Sequence, residues 1–242
     1  MRYALISDIH GNLEAFEAVL SDIKKEGVDK YLCIGDIVGY GADPEKVLTI
    51  LQSLAPEAIV VGNHDWGVAQ LMDPDYFNKE AKEAVLWTRK MLDRSAIDYL
   101  GSLDLIYEKG DITLVHGSLE TPEEFYYIMD EGDAYPTSQL SRTRLCFVGH
   151  SHMPGIYYTE GAAMKRAKRG KVKMGPDKKY VINIGSIGQP RDGDPKAGYS
   201  IYDSSENTVE IRRIAYDVES AKDKILKAGL PAFLAHRLLE GR

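Results

Sequence analysis

Five short polar clusters in this chain each close an apolar run. Tyr3-Ala4-Leu5-Ile6-Ser7 leads into Asp8-Ile9-His10, Tyr31-Leu32-Cys33-Ile34 into Gly35-Asp36, and Ala58-Ile59-Val60-Val61 into Gly62-Asn63-His64-Asp65. Further on, Ile112-Thr113-Leu114-Val115 leads into His116-Gly117, and Leu145-Cys146-Phe147-Val148 into Gly149-His150-Ser151-His152. Five of the six histidines sit in these clusters, and only His236 stands apart. Taken singly each cluster is ordinary, since Gly-Asn and His-Asp pairs make polar turns and a lone histidine after a strand is commonly structural. Their recurrence in one kind of place is what points to chemistry. Asp, Asn and His without Cys form a hard-to-borderline donor set, suited to Mn, Fe, Zn, Ni or Mg rather than to a thiolate site. Seven or eight such donors exceed what one catalytic ion with open positions needs. They suit two divalent ions sharing a carboxylate, at the ~3.5–4 Å spacing of two-metal hydrolases.

For this chemistry the elements must bring the clusters together. Asn12 is a good N-cap for a helix whose stripe is Leu13, Phe16, Val19, Leu20 and Ile23, stopped by Gly27. Asp43-Pro44-Glu45 opens a second helix with Val47, Leu48, Leu51 and Leu54 on its buried face. With the strand runs at 3–6, 31–34 and 58–61 this is β-α-β-α-β, the pattern of a parallel sheet with right-handed crossovers. Residues 66–103 predict a helical insertion, with one helix over 78–92 and a short one over 96–103. Strand-like runs then follow at 105–107, 112–115, 145–148, 156–158, 180–184, 199–202 and 209–214. Without helices between them they favour antiparallel pairing in a second sheet. A final helix over 218–239 is broken at Gly229-Leu230-Pro231. The carboxyl ends of strands in an open α/β sheet face one crevice. Asp8 and His10 are two apart, as are His150 and His152, so extended backbone would aim each pair to one side. The glycines at 35, 62, 117 and 149 allow close backbone approach beside the donors.

At 242 residues, 28% charged and 44% hydrophobic, the composition is that of an ordinary globular protein, read here as one domain. The net charge of −7 disfavours a general nucleic-acid-binding surface. The first residues reach a carboxylate too early for a signal peptide, and no later run approaches the length of a membrane span. Cys33 and Cys146 lie inside apolar runs and are expected to be reduced and unpaired, which fits a cytoplasmic protein.

The five ordered clusters, spanning residues 8 to 152, resemble the motifs of the calcineurin-like metallophosphoesterases. The later stretch Asn183-Ile184-Gly185-Ser186-Ile187-Gly188-Gln189-Pro190-Arg191 resembles the smaller prokaryotic branch, which includes archaeal phosphodiesterases and bacterial dinucleoside polyphosphate hydrolases. This resemblance implies an α/β (α+β) fold, a four-layer α-β-β-α sandwich of two mixed sheets flanked by helices. It implies that Asp8, His10 and His152 hold one ion, that Asn63, His116 and His150 hold the other, and that Asp36 bridges them. Manganese is the expected metal, with Fe, Zn, Ni or Mg as alternatives. The resemblance also makes His64 the acid that protonates the leaving oxygen and Asp65 the residue that orients its ring. A hydroxide bridging the ions would attack phosphorus in line with the leaving group.

The expected activity is hydrolysis of a small phosphodiester, nucleotide or dinucleoside polyphosphate. A phosphoprotein phosphatase or nuclease would need an open groove where the helical insertion is expected, and a non-catalytic metal scaffold would favour substituted donor positions, of which there are none. Arg191 suits a phosphate as a bidentate donor, although Pro190-Arg191-Asp192-Gly193-Asp194-Pro195 also reads as a turn. Tyr40 reads as a packed loop residue or as a base-stacking one. The loop from Glu120 to Asp133, with Tyr126-Tyr127, either shapes a pocket or covers surface. The basic run Lys165 to Lys173 reads as a solvated hairpin tip, or as a contact for a phosphate-rich or RNA partner.

Overall fold

The computed structural model describes residues 1–168 and 170–242. In chain order the first half comprises β1 (Arg2–Ile6), α1 (Leu13–Glu26), β2 (Lys30–Cys33), α2 (Pro44–Ser53), β3 (Ala58–Ile59), α3 (Asn63–Ala69), α4 (Lys79–Met91) and α5 (Arg94–Gly101). The second half comprises β4 (Ile106–Lys109), β5 (Ile112–Val115), α6 (Glu131–Leu140), β6 (Leu145–Val148), β7 (Gly155–Glu160), β8 (Ala163–Arg166), β9 (Lys171–Lys173), β10 (Tyr180–Asn183), β11 (Ala197–Asp203) and β12 (Thr208–Ile214). Helices α7 (Val218–Lys227) and α8 (Ala232–Glu240) close the chain.

Two six-stranded mixed sheets result. The first has the order β3-β2-β1-β11-β12-β9 and the second β4-β5-β6-β10-β7-β8. Strands β1, β2 and β3 run parallel, as do β5, β6 and β10. Alternation along single strands separates the layers. Leu5 faces the other sheet and joins Leu114, Leu145, Phe147 and Ile182 in the inter-sheet core. Its neighbours Ala4 and Ile6 face outward onto Phe16, Val19 and Leu51 of α1 and α2. Likewise Cys146 and Val148 turn away from Phe147 to pack with Ala134 of α6. Strands buried on both faces read as the continuous apolar runs seen in the sequence, and the product is a four-layer α-β-β-α sandwich.

Helix starts follow local chemistry. Asn12 accepts a hydrogen bond from the Ala15 amide at 3.1 Å, and α1 ends at Gly27 with φ 62°. Asn78 and Asp93 cap α4 and α5 in the same way. Asp43 precedes α2 but makes no cap bond with its side chain. Its carboxylate instead bridges Lys46 and Lys224, each at 2.7 Å.

The second sheet departs from the antiparallel arrangement expected of it. Helix α6, with Gly132 and Pro136 inside it and no apolar period, was invisible as a helix, yet it connects β5 to a parallel β6. Strands β11 and β12 join the first sheet instead. The basic run is not a hairpin tip: Lys165 and Arg166 lie on β8 of the second sheet and Lys171 on β9 of the first, so the chain crosses between sheets there. Lys165 pairs with Glu160, and Lys171 with Glu206 at 2.7 Å. Arg169 of this run lies outside the described residues. Both cysteines are buried and free, and among the described residues no helix is long and apolar enough to cross a membrane.

Candidate metal centre

The parallel strands deliver the polar clusters to one rim shared by both sheets. Asp8 and His10 follow β1, Asp36 follows β2, His116 follows β5, and His150 and His152 follow β6. Asn63, His64 and Asp65 form the first turn of α3, after Gly62 at its N-cap. The sequence places them at a strand end. The strand stops at Ile59, with Val60 adding only one bridge to Asp104, and α3 begins at Asn63. All of these side chains are buried.

The paired donors converge by a different route from the one expected. Asp8, His10, His150 and His152 have φ between 50° and 62°, so left-handed turns, not extended backbone, set their directions. Gly149 shows how closely the loops are pressed. A methyl group there would lie 2.6 Å from Asp8 Oδ2 and closer still to Ser7 Oγ.

Two groups of donors share Asp36. Asp8, His10, Asp36 and His152 form one, and Asp36, His116 and His150 the other; within each, the donor atoms all lie within 4.8 Å of one another. His152 Nε2 is 3.1 Å from Asp8 Oδ1, His10 Nε2 is 3.5 Å from Asp36 Oδ2, and His116 Nε2 is 3.3 Å from the same oxygen. Each of these three imidazoles turns Nδ1 toward a backbone carbonyl: His10 to Val38 at 3.1 Å, His116 to Ile34 at 2.5 Å and His152 to Gln189 at 2.5 Å. A carbonyl only accepts, so Nδ1 carries a proton in each, and in the neutral ring Nε2 presents its lone pair to the centre. His10 Nε2 and His152 Nε2 then face each other at 3.1 Å with no proton between them. His116 Nε2 and Asn63 Oδ1 are buried without a hydrogen-bond partner. Buried acceptors facing one another cost energy unless a cation lies among them, so these residues fit divalent ions.

The electrostatics agree. Burial opposes ionisation of Asp36, but the surrounding His116 and His64 imidazoles outweigh it and hold the carboxyl well below its usual range. Burial likewise disfavours a charged His116, yet the Asp36 and Asp8 carboxylates push it up to about 9, so without an ion its Nε2 carries a proton toward Asp36, where a divalent cation would take that proton's place. Burial holds His10 and His150 well below the usual imidazole range, leaving them neutral.

His64 and Asp65 sit beside this centre, but their side chains do not bond to each other as the resemblance implies. Asp65 Oδ1 accepts from the amides of Ile37 and Val38 at 3.0 and 3.2 Å, and Oδ2 accepts from Gly62 at 3.1 Å. Its carboxylate therefore pins the loop after Asp36 to the start of α3 and does not orient the His64 ring. Adjacent residues at a helix start project in different directions, which is why a contact between the two side chains fails. Burial and the charge of Asp36 push Asp65 up to about 7 against the pull of its amide donors. The His64 ring packs on Tyr40, His10 and Phe77 at 4.3, 4.9 and 5.0 Å between centroids, with Nδ1 unpartnered. Burial pushes it down to about 4, Asp36 offsetting this only in part. The ring of the metal-free site is thus neutral at pH 7, and an acid role rests on its position rather than on a standing positive charge.

Arg191 lines the same cleft, which encloses about 300 Å³. Its guanidinium donates to Gln189 Oε1 at 2.9 Å and Tyr40 Oη at 3.4 Å, and Nε is buried without a partner. Tyr40 is a packed residue, as one of its two readings holds. The loop at 120–133 does wall the cleft, and Tyr127 stacks on His150 at 4.1 Å and 13°.

What sequence reasoning missed is the bracing. The stretch 183–191, read there only as a mark of kinship, ties both sheets' loops together. Ile187 N and Gly188 N donate to Ser7 O and Asp8 O at 3.1 and 2.8 Å, and Ser186 Oγ donates to Asp8 O at 2.9 Å. Asn183 Nδ2 reaches Gly149 O at 2.7 Å. Its run of small and amide-bearing residues was the available signal.

Comparison with known proteins accords with this geometry. Residues 1–207 match the model of the calcineurin-like phosphoesterase superfamily domain. An uncharacterised protein of Methanocaldococcus jannaschii is 43% identical, covering 99% of this chain and 98% of its own length. The structure of a metallophosphoesterase from Sphaerobacter thermophilus is 37% identical, covers 100% of both chains and superposes with a TM-score of 0.87. Phosphodiesterase YfcE of Escherichia coli is 26% identical over 84% of this chain and 88% of its own.

Proposed function

This chain belongs to the calcineurin-like phosphoesterase superfamily, and on that premise we propose that it is a binuclear metal-dependent hydrolase of a small phosphodiester, nucleotide or dinucleoside polyphosphate. The observation that carries the proposal is the pair of buried donor groups sharing Asp36 in a cleft with Arg191 and His64. Asp8, His10, His152 and Asp36 would hold one ion, and Asn63, His116, His150 and Asp36 the other. Manganese suits this donor set, as do Fe, Zn, Ni and Mg. Bound there, divalent ions supply Lewis acidity, neutralising phosphoryl oxygens and acidifying the attacking water.

The chain's own side chains do the rest. Arg191, whose guanidinium lines the cleft, pairs with a phosphoryl oxygen. Water that has given up a proton to solvent bonds through oxygen to phosphorus as the ester P–O bond breaks, and His64, protonated from solvent once the substrate's negative charge lies beside it, gives that proton to the leaving oxygen. Asp65 holds the His64 turn against the Asp36 loop through three amides. Residues 1–242 act as one domain, with the helices over 66–103 as an insertion. That insertion and the 120–133 loop narrow the cleft, which supports a small substrate over a folded phosphoprotein or a nucleic acid. Free buried cysteines suit the cytoplasm.

The test is hydrolysis by metal-stripped protein reloaded with Mn of a nitrophenyl monoester, a nitrophenyl diester, cyclic nucleotides and diadenosine tetraphosphate. Asp36→Asn is the control, and it should lose at least one bound ion as well as turnover. Silence of the wild type across this panel, with two ions bound, refutes the proposal.

A further inference from the structure

Two neighbouring segments wall the outer cleft, and each couples an inward-packed phenylalanine, Phe77 half-buried and Phe125 buried, to an exposed tyrosine. In the first, Phe77 packs on the His64 ring at 5.0 Å while Tyr76 is 83% exposed. In the second, Phe125 packs edge-on against His116 at 5.9 Å and against Trp66 at 5.3 Å, while Tyr126 and Tyr127 are each 51% exposed. The second segment is anchored further. A methyl group at Gly117 would lie 2.7 Å from the Phe125 backbone, so the two run close together, and Tyr157 Oη donates to Met129 O at 2.9 Å. Each segment is thus anchored by a phenylalanine that touches His64 or His116, and of the three exposed rings Tyr127 is itself stacked on His150. Tyrosines on segments anchored this way offer π-faces without the ordering cost of a mobile loop.

The charges of the cleft are segregated. Arg191 lies on the Tyr40 side, while the only charged residue that the aromatic segments contribute to the cleft is Glu124. A wall that contributes one acid and no cation of its own to the lining disfavours a second phosphate, and it can accept hydrogen bonds from amino groups. The volume of about 300 Å³ lies at the small end of ligand sites.

We infer that Tyr76, Tyr126 and Tyr127 form a nucleobase subsite, so that the natural substrate is an ester of a single nucleoside phosphate. The base stacks on this wall while the scissile phosphoryl group lies at Arg191 and the metal donors. This rests on the hydrolase reading above and narrows it, disfavouring a polyphosphate chain that continues along the wall.

The test separates binding from turnover. Adenosine 5′-monophosphate and ribose 5-phosphate are titrated calorimetrically into the metal-free protein, and then into Tyr76→Ala/Tyr126→Ala. Both rings are exposed, so the variant should melt with the wild type; Tyr127 is left intact because it stacks on His150. One base on an aromatic platform should favour the adenylate about tenfold or more, and the double variant should bring that ratio close to one. Equal affinities in the wild type, no detectable adenylate binding, or an unchanged preference in the variant would each overturn the subsite. A second arm follows Mn-dependent hydrolysis of the methyl ester of adenosine 5′-monophosphate beside that of ribose 5-phosphate. If the base preference in binding holds but neither ester nor the earlier panel is hydrolysed, the subsite stands and the hydrolase reading falls.

Discussion

Asp65→Asn separates two roles that the sequence leaves joined. In the folded chain the carboxylate accepts three amides, from Ile37 and Val38 on one oxygen and from Gly62 on the other. Asparagine keeps one acceptor oxygen, which can still serve Ile37 and Val38. Its NH₂ group then faces the Gly62 N–H, donor against donor, in a buried site. Losing one charge-assisted bond and leaving a buried amide unsatisfied should together cost about 2–4 kcal/mol. For a chain of this size that corresponds to a fall in melting temperature of about 5–15 °C. The melt should be followed by circular dichroism on metal-free protein at pH 8, above the value of about 7 to which burial pushes Asp65, so that the wild-type carboxylate is ionised. Activity should fall by a similar factor toward alkyl and nitrophenyl esters, because the loop carrying Asp36 and the turn carrying Asn63 loosen together. A melt within 1 °C of wild type, with loss confined to alkyl esters, would refute this account and restore Asp65 as a partner of His64.

Two further substitutions probe the centre. His64→Ala should keep both ions but lose about 10²–10⁴-fold in rate toward alkyl leaving groups, with a much smaller loss toward a nitrophenyl ester that departs without a proton; equal losses on both would count against proton delivery. Gly149→Ala should weaken Mn binding by about tenfold or more, because its methyl would sit 2.6 Å from Asp8 Oδ2 and push that proposed ligand aside; Gly149 has no left-handed φ, so backbone strain does not confound the titration.

The donor types, their order, and the alternation of strands and helices through β3 were legible because each depends on local pattern: apolar runs, caps and breakers. Helix α6 was not, since Gly132, Pro136 and a weak apolar stripe leave its stability to packing against the second sheet. The parallel pairing of β5 with β6 was hidden with it. So was the crossing of the basic run between sheets, since β8 and β9 are short edge strands whose partners are set by distant segments.

At the site, sequence alone determined which residues gather and what ions their donors suit, because ligand chemistry belongs to residue type. Tertiary structure decided how they are aimed. Left-handed turns at Asp8, His10, His150 and His152 replaced the extended backbone that spacing suggests. The carbonyls of Val38, Ile34 and Gln189 fixed which nitrogen of each ring faces inward. Asp65 went to three amides rather than to its neighbour His64, and the stretch 183–191 became the brace between the sheets. Direction, tautomer and hydrogen-bond partner all depend on groups tens of residues away in the chain. Only the packed fold brings those groups within the roughly 3 Å over which a hydrogen bond acts.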